Sequence, residues 1–169
     1  MSTVSLSLDE IFDLAKKTLL ANGCDDETAS ILSDLIRNAE RDGSLSHGLF
    51  RLPAYVSGLK SGKINGKGKP EVKKISASVI KVQGNSCLAP VVLNKGLPEL
   101  VKAAKENGVA VLAINNSHHM AAMWPETEKL AEEGLVAFAC TSYKPAVAPA
   151  GAIKPLFGTN PISFAWPRP

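Results

Sequence analysis

The stretch VKAAKENGVAVLAINNSHH, from Val101 to His119, decides the fold class because a helical pattern passes directly into an apolar strand. Apolar residues recur at helical spacing over Pro90–Asn107, and Gly108 is a helix stop signal. Val109–Ile114 is then a short, fully apolar run of strand length. The stretch predicts a helix that leads into a strand.

The same order of elements recurs once further along the chain. Met120–Glu133 has a helical pattern, Gly134 ends it, and Leu135–Cys140 is a second apolar strand. Thr141–Asn160 is rich in Pro, Gly and Ala and predicts one long loop. An apolar strand follows within PISFAWPRP, and its place at the end of the chain leads us to expect that more protein follows.

The first 60 residues show helical patterns with cap signals. Three helices are predicted: from the capping box Ser7-Leu8-Asp9-Glu10 to Asn22-Gly23, from Asp25 or Asp26 to Asp42-Gly43, and from Ser44 or Ser46 to about Lys60. Pro53 lies inside the third pattern, where it belongs to a late first turn or bends the helix.

Helices first, then alternating strands and helices, predict an α/β (mixed α+β) chain. After a Gly- and Lys-rich loop over 61–70, the apolar residues between Val72 and Val82 alternate partially, as in half-buried strands. We therefore divide the chain into an N-terminal helical segment, residues 1–70, and an α/β segment, residues 71–169. No GxGxxG follows any strand, so the standard Rossmann fingerprint is absent.

Composition indicates a folded protein outside the nucleic-acid-binding and disulfide-rich classes. The chain has 169 residues, 45% hydrophobic and 21% charged, with a formal charge of +3. Seven lysines between Lys60 and Lys81 face only Glu71, but no aromatic residues interleave them, so we interpret this stretch as a solvated loop and strand face rather than a nucleic-acid site. Three scattered cysteines, no signal-peptide pattern and no long apolar run predict a soluble cytoplasmic protein without a membrane partner.

The segment Ser46-His47-Gly48-Leu49-Phe50-Arg51 is the first candidate site. On a helix, His47 and Arg51 are four residues apart and share one face, with Tyr55 a further turn along. An arginine can hold a carboxylate with two hydrogen bonds while a histidine protonates the atom that gains charge in a reduction. Alternatively, the segment is a capped helix start with a solvated histidine and arginine.

The second candidate is Asn115-Asn116-Ser117-His118-His119, which follows the apolar strand. Polar groups between a strand and a helix start often meet a ligand, and free amides there favour phosphate. Adjacent histidines do not share a helix face, so we predict no metal site, although zinc with Cys140 is conceivable. Capping and a buried histidine are the structural alternatives.

The third candidate comprises Pro149-Ala150-Gly151 and Gly158-Thr159-Asn160-Pro161. Small residues allow a backbone to approach a flat ligand, and Thr159 and Asn160 offer hydrogen bonds. Gly-Thr-Asn-Pro is equally a good turn.

Together and in this order, these segments resemble the type 2 malate/L-lactate dehydrogenase family. The matching stretches are RDGSLSHGLFRLPAYVSGLKSGKIN, NNSHHMAAMWPETEKLAEEGL and APAGAIKPLFGTNPISFAWP. The resemblance implies a nicotinamide-dependent oxidoreductase with a family-specific, non-Rossmann fold, and a homodimer. Within the family, HHMAAMWPE is more similar to the Δ1-piperideine-2-carboxylate/Δ1-pyrroline-2-carboxylate reductases than to the malate enzymes. This similarity implies a 2-imino acid substrate and L-pipecolate or L-proline as the product. It also implies NADPH as the cofactor, with NADH remaining open.

The resemblance also implies roles for individual residues. His47 matches the proton donor, Ser46 its relay partner, Arg51 the carboxylate clamp, and Thr159 a residue of the substrate site. The cofactor-contacting segment corresponds to His119, Met120, Ala121, Ala122, Met123 and Trp124. The family's relay aspartate lies further along than this sequence extends, so we expect an N-terminal portion of a longer enzyme. A malate-, lactate- or ureidoglycolate-type dehydrogenase and a truncated, non-catalytic binding or assembly module remain alternatives.

Overall fold

The computed structural model describes residues 4–168; residues 1–3 and 169, which the predicted segments include, lie outside the described residues. The chain divides into two compact units, one up to Ala122 and one from Met123 on. The proposed division at residue 70 stays a prediction. No helix in the described part of the chain is both long and apolar enough to span a membrane.

Three helices open the first unit: α1 (Leu8–Ala21), α2 (Asp26–Arg41) and α3 (Leu52–Lys60). The capping box of α1 is confirmed, since the Glu10 amide donates to Ser7 Oγ at 3.2 Å and the Ser7 amide donates to Glu10 Oε2 at 2.7 Å. Asp25 Oδ1 caps α2 by accepting from the Thr28 amide. The apolar stripes of the helices form one core: Ile11, Ala15, Leu19, Cys24, Ala29, Leu32, Ile36, Leu52, Tyr55, Ile64 and Leu88.

A mixed three-stranded sheet completes this unit, with β1 (Glu71–Lys74), β2 (Val79–Leu88) and β3 (Val111–His118) in the order β1-β2-β3. β1 pairs with β2 in antiparallel fashion and β2 pairs with β3 in parallel, across the helix α4 (Ala89–Asn107). Gly108 ends α4 in the left-handed conformation. A second core lies between this helix and the sheet: Ile80, Val82, Cys87, Val92 and Ala103. The mixed α/β fold class is confirmed, and the lysines of the 60–81 stretch are all exposed.

The second unit consists of α5 (Trp124–Glu132) packed on a two-stranded antiparallel sheet of β4 (Ala137–Cys140) and β5 (Ile162–Ala165). Thr127 Oγ1 and Ser163 Oγ share a hydrogen bond of 2.7 Å that joins the helix to β5. The long loop between the strands is less irregular than predicted, because Val147 and Phe157 pair as an isolated antiparallel bridge.

Two predicted helices were wrong at their starts, for the same reason. The helix predicted from Ser44 or Ser46 begins only at Leu52, and the one predicted from Met120 begins at Trp124. In each case a proline, Pro53 or Pro125, occupies the first turn. A proline lacks the amide that an interior helical residue donates, and its ring clashes with the carbonyl four residues earlier, so neither helix extends backwards.

Candidate active site

Two short 3-10 turns hold the first candidate site: Leu45–His47 and Leu49–Arg51, separated by Gly48. The His47 amide donates to Ser44 O at 2.8 Å, and the Arg51 amide donates to Gly48 O at 3.0 Å. The prediction that His47 and Arg51 share one face of an α-helix was therefore wrong. Neither turn has a side-chain cap, so the predicted capping by Ser44 or Ser46 is also absent.

Ser46 holds the imidazole of His47 on one side. Its Oγ lies 2.9 Å from His47 Nδ1, within hydrogen-bond distance. The donor in this bond depends on the ring tautomer. Because Nδ1 is engaged by the neighbouring serine, Nε2 is the ring nitrogen that can exchange a proton with a substrate.

The electrostatic surroundings of His47 join three of the predicted site residues. Burial lowers the pKa of His47 below its usual 6.5, and the charges of Arg51 and His119 lower it further. Desolvation and nearby positive charge both disfavour the imidazolium form. Despite the different backbone conformation, the structure thus brings His47, Arg51 and His119 within electrostatic reach of one another.

Arg51 carries an unusual buried donor. Its Nε is shielded from solvent and has no hydrogen-bond partner in the described part of the chain. A buried donor without an acceptor is costly, and more so when the group is charged. The guanidinium therefore keeps one unused donor among the described residues.

Tyr55 joins α3 to the segment predicted to contact the cofactor. Its side chain is completely buried, and its hydroxyl donates to Met120 O at 3.1 Å. Burial raises the pKa of the phenol to about 12, so it keeps the proton that this bond requires. Met120 also packs against the helical core. The hydrogen bond and the packing fix the backbone next to His119.

The predicted cofactor segment is irregular between the end of β3 and the start of α5, rather than helical from Met120 as predicted. His119 and Met120 are half-buried, Ala121, Ala122 and Met123 are buried, and Trp124 is the first residue of α5. The cofactor contacts of the six residues stay a prediction.

The polar run after the apolar strand is largely used by the sheet itself. β3 continues to His118, beyond the predicted end at Ile114. Asn115 Nδ2 donates to Gln83 Oε1 on β2 at 2.6 Å, and Ser86 Oγ donates to Asn116 Oδ1 at 3.4 Å. Among residues 4–168, no three His, Cys, Asp or Glu side chains lie together in a way that could hold a metal ion.

Thr159 lies in the second unit, where it is exposed and outside any helix or strand. Next to it, Asn160 Oδ1 accepts a hydrogen bond of 3.0 Å from the Tyr143 amide. This hydrogen bond joins the Gly-Thr-Asn-Pro segment to the start of the long loop. The substrate contact predicted for Thr159 stays a prediction.

One residue at this site had no signal in the sequence. Glu40, near the end of α2, accepts a hydrogen bond from the Leu49 amide with its Oε1 at 2.7 Å. In the sequence it is a single glutamate on an amphipathic helix, nine residues away, and no periodicity indicates that its side chain reaches the turn.

Comparison with known proteins places the chain in a family. The malate/L-lactate dehydrogenase family model matches residues 6–169. The chain is 41% identical, over its whole length and 50% of the relative, to "Delta(1)-pyrroline-2-carboxylate reductase 1" of Burkholderia ambifaria.

Two solved structures of related enzymes superpose closely on the chain. The Δ1-piperideine-2-carboxylate reductase from Pseudomonas syringae pv. tomato superposes with a TM-score of 0.92 at 42% identity, covering 98% of this chain and 50% of that one. The malate dehydrogenase from Pyrococcus horikoshii superposes with a TM-score of 0.90 at 32% identity, covering 97% and 47%. The chain spans about half the length of the curated relatives it matches. It belongs to the malate/L-lactate dehydrogenase family.

Proposed function

We propose that this chain is part of an enzyme that reduces a small cyclic 2-imino acid, Δ1-pyrroline-2-carboxylate or Δ1-piperideine-2-carboxylate, to L-proline or L-pipecolate with NADPH. The observation that carries the proposal is the buried, unpartnered Nε of Arg51 beside His47. The names of the relatives support the choice of substrate.

Arg51 binds the carboxylate of the substrate. A carboxylate can accept from Nε and a terminal guanidinium nitrogen at once, in the two-pronged geometry that arginine favours. Binding in this way supplies the acceptor that Nε lacks in the described part of the chain. The same contact sets the C2 atom, which bears the carboxylate, at a fixed distance from the guanidinium.

His47 supplies the proton. Reduction adds a hydride to C2 and a proton to the attached nitrogen, and His47 Nε2 is the group that holds this proton. In the free protein the lowered pKa favours the neutral ring. A carboxylate on Arg51 offsets the positive charge that lowers this pKa, so the bound substrate itself favours the protonated acid.

We assign the backbone around His119 to the nicotinamide end of the cofactor. The charge of His119 acts on His47, and the hydrogen bond from Tyr55 to Met120 O fixes the backbone next to His119. His119, Met120, Ala121 and Ala122 would hold the nicotinamide end beside the acid. A bound dihydronicotinamide supplies the hydride for C2.

A 2-hydroxy acid dehydrogenase is the second candidate function, favoured by the likeness to the malate dehydrogenase structure. His47 and Arg51 would serve a 2-oxo acid equally well, since it has the same carboxylate and a carbonyl oxygen in place of the imine nitrogen. The two candidates therefore differ in the substrate rather than in these two groups.

The test is to follow the nicotinamide absorbance band of NADPH in mixtures with the full-length protein. We expect oxidation of NADPH with Δ1-piperideine-2-carboxylate and much slower oxidation with oxaloacetate or pyruvate. Turnover of the 2-oxo acids alone would replace the proposal with the second candidate. Cofactor binding without any turnover would indicate a binding module.

A further inference from the structure

A carboxylate from α2 reaches into the turn that carries His47. Glu40 lies one residue before the end of α2, and its Oε1 accepts the Leu49 amide at 2.7 Å. Leu49 opens the second 3-10 turn, which ends at Arg51, while His47 ends the first. This hydrogen bond therefore acts between the proton donor and the carboxylate clamp.

Gly48 shows that the carboxylate and the turn are closely fitted. A Cβ atom at Gly48 would overlap Oε1, Cδ and Cγ of Glu40. A side chain at Gly48 would therefore displace the Glu40 carboxylate from its present position. The close approach and the hydrogen bond are separate observations, and both place the Glu40 carboxylate against the junction of the two turns.

We propose that Glu40 is a positioning residue, which fixes His47 relative to Arg51 through its hydrogen bond to the Leu49 amide. The inference rests on the proposed function of these two groups. Glu40 does not act on the substrate; it holds the backbone from which the acid and the clamp project.

The action is geometric rather than electrostatic. The influences that lower the pKa of His47 are burial and the charges of Arg51 and His119, and Glu40 is not among them. A neutral side chain with an acceptor at the same place should therefore serve almost as well. Glutamine provides one, because its Oε1 can accept the same amide hydrogen.

The test compares Glu40→Ala with Glu40→Gln in the full-length protein. A displacement of about 1 Å in a catalytic group can cost about 100-fold in rate, so we expect Glu40→Ala to lower kcat/KM by about 10- to 100-fold. Glu40→Gln should retain kcat/KM within about threefold, because its acceptor remains. The pH profile of kcat/KM should be the same in Glu40→Gln and the original protein.

Two controls separate positioning from a general loss of stability. Glu99→Ala makes the same chemical change on an exposed position of α4 and should leave kcat/KM and Tm unchanged. Ser7→Ala removes the capping box of α1 and lowers Tm without touching the turn. Suppose that the two variants lowered Tm by the same amount and that Ser7→Ala lowered kcat/KM as much as Glu40→Ala did. The role of Glu40 would then be structural only.

A second readout does not depend on catalysis. In NMR spectra, Glu40→Ala should shift the Leu49 amide and the His47 ring resonances, whereas Glu40→Gln should leave both close to their original positions. If the original protein reduced none of the substrates, the proposed function would fail while these spectra still decided the role of Glu40. Unmoved His47 resonances in Glu40→Ala, or an equal loss in both variants, would overturn the inference.

Discussion

Replacing Arg51 by lysine should weaken the carboxylate contact while keeping the positive charge. The buried Nε is one of the two donors that a carboxylate would engage, and a lysine cannot reproduce the second parallel hydrogen bond. A hydrogen bond to a charged group contributes about 1.5–3 kcal/mol. At about 1.4 kcal/mol for each factor of ten, Arg51→Lys should lower kcat/KM by about 10- to 150-fold, mainly through KM.

The assay combines steady-state kinetics of the full-length protein with an NMR titration of His47. Because lysine keeps the charge, the pKa of His47 should stay below its usual value in Arg51→Lys and rise in Arg51→Gln. Arg37→Lys, on the half-buried Arg37 that pairs with Asp34, is the matched control and should leave kcat/KM unchanged. An unchanged KM in Arg51→Lys would remove Arg51 from the substrate site.

Three further changes test separate parts of the site. His47→Ala should lower kcat by about 10²- to 10⁴-fold for a 2-oxo acid, and by less for an imine that arrives protonated. His47→Asn should not restore kcat. A loss of kcat below about fivefold in His47→Ala would assign the proton to another donor. Ala121→Leu should raise the Kd of NADPH in a fluorescence titration more than the KM of the substrate, and an unaltered Kd would leave this segment a purely structural one. Tyr55→Phe removes the hydrogen bond to Met120 O and should lower the free energy of unfolding, measured in urea, by about 0.5–1.5 kcal/mol. An unchanged free energy of unfolding would show that this hydrogen bond does not stabilise the fold.

Local signals in the sequence predicted most of the elements. The capping box at Ser7 and the Asp25 cap gave the starts of α1 and α2, and Gly108 gave the end of α4, because each signal satisfies backbone groups within its own helix. The alternation of helices and apolar strands gave the mixed fold class. These features depend on neighbouring residues and need no knowledge of distant contacts.

The prolines explain why the helical pattern predicted the starts of α3 and α5 too early. Apolar spacing continued through Pro53 and Pro125, yet each proline marks a first turn because it cannot donate inside a helix. The alternative that placed Pro53 in a late first turn is confirmed, and the same interpretation of Pro125 would have set the start of α5 to within about two residues. A first turn at Pro53 excludes the helical face invoked for His47 and Arg51.

The site itself depended on tertiary contacts that no local pattern contains. The second of the two 3-10 turns around Gly48 is hydrogen-bonded to Glu40, which belongs to α2. The bond from Tyr55 to Met120 spans 65 residues. The residue types His47 and Arg51 were recognisable from the sequence, but their relative placement follows from these long-range contacts.

The most direct test of the account is the pKa of His47 with and without a carboxylate on Arg51. Pyrrole-2-carboxylate is a flat, non-reducible ring acid of the right size, and its binding can be followed by NMR titration of the His47 ring protons in the full-length protein. In the free protein the pKa should lie below its usual value, because burial and the charges of Arg51 and His119 disfavour the imidazolium. The account predicts that this pKa rises when the analogue binds, and that the rise is lost in Arg51→Gln. A pKa that stays the same or falls in the complex would contradict the assignment of His47 as an acid charged by substrate binding.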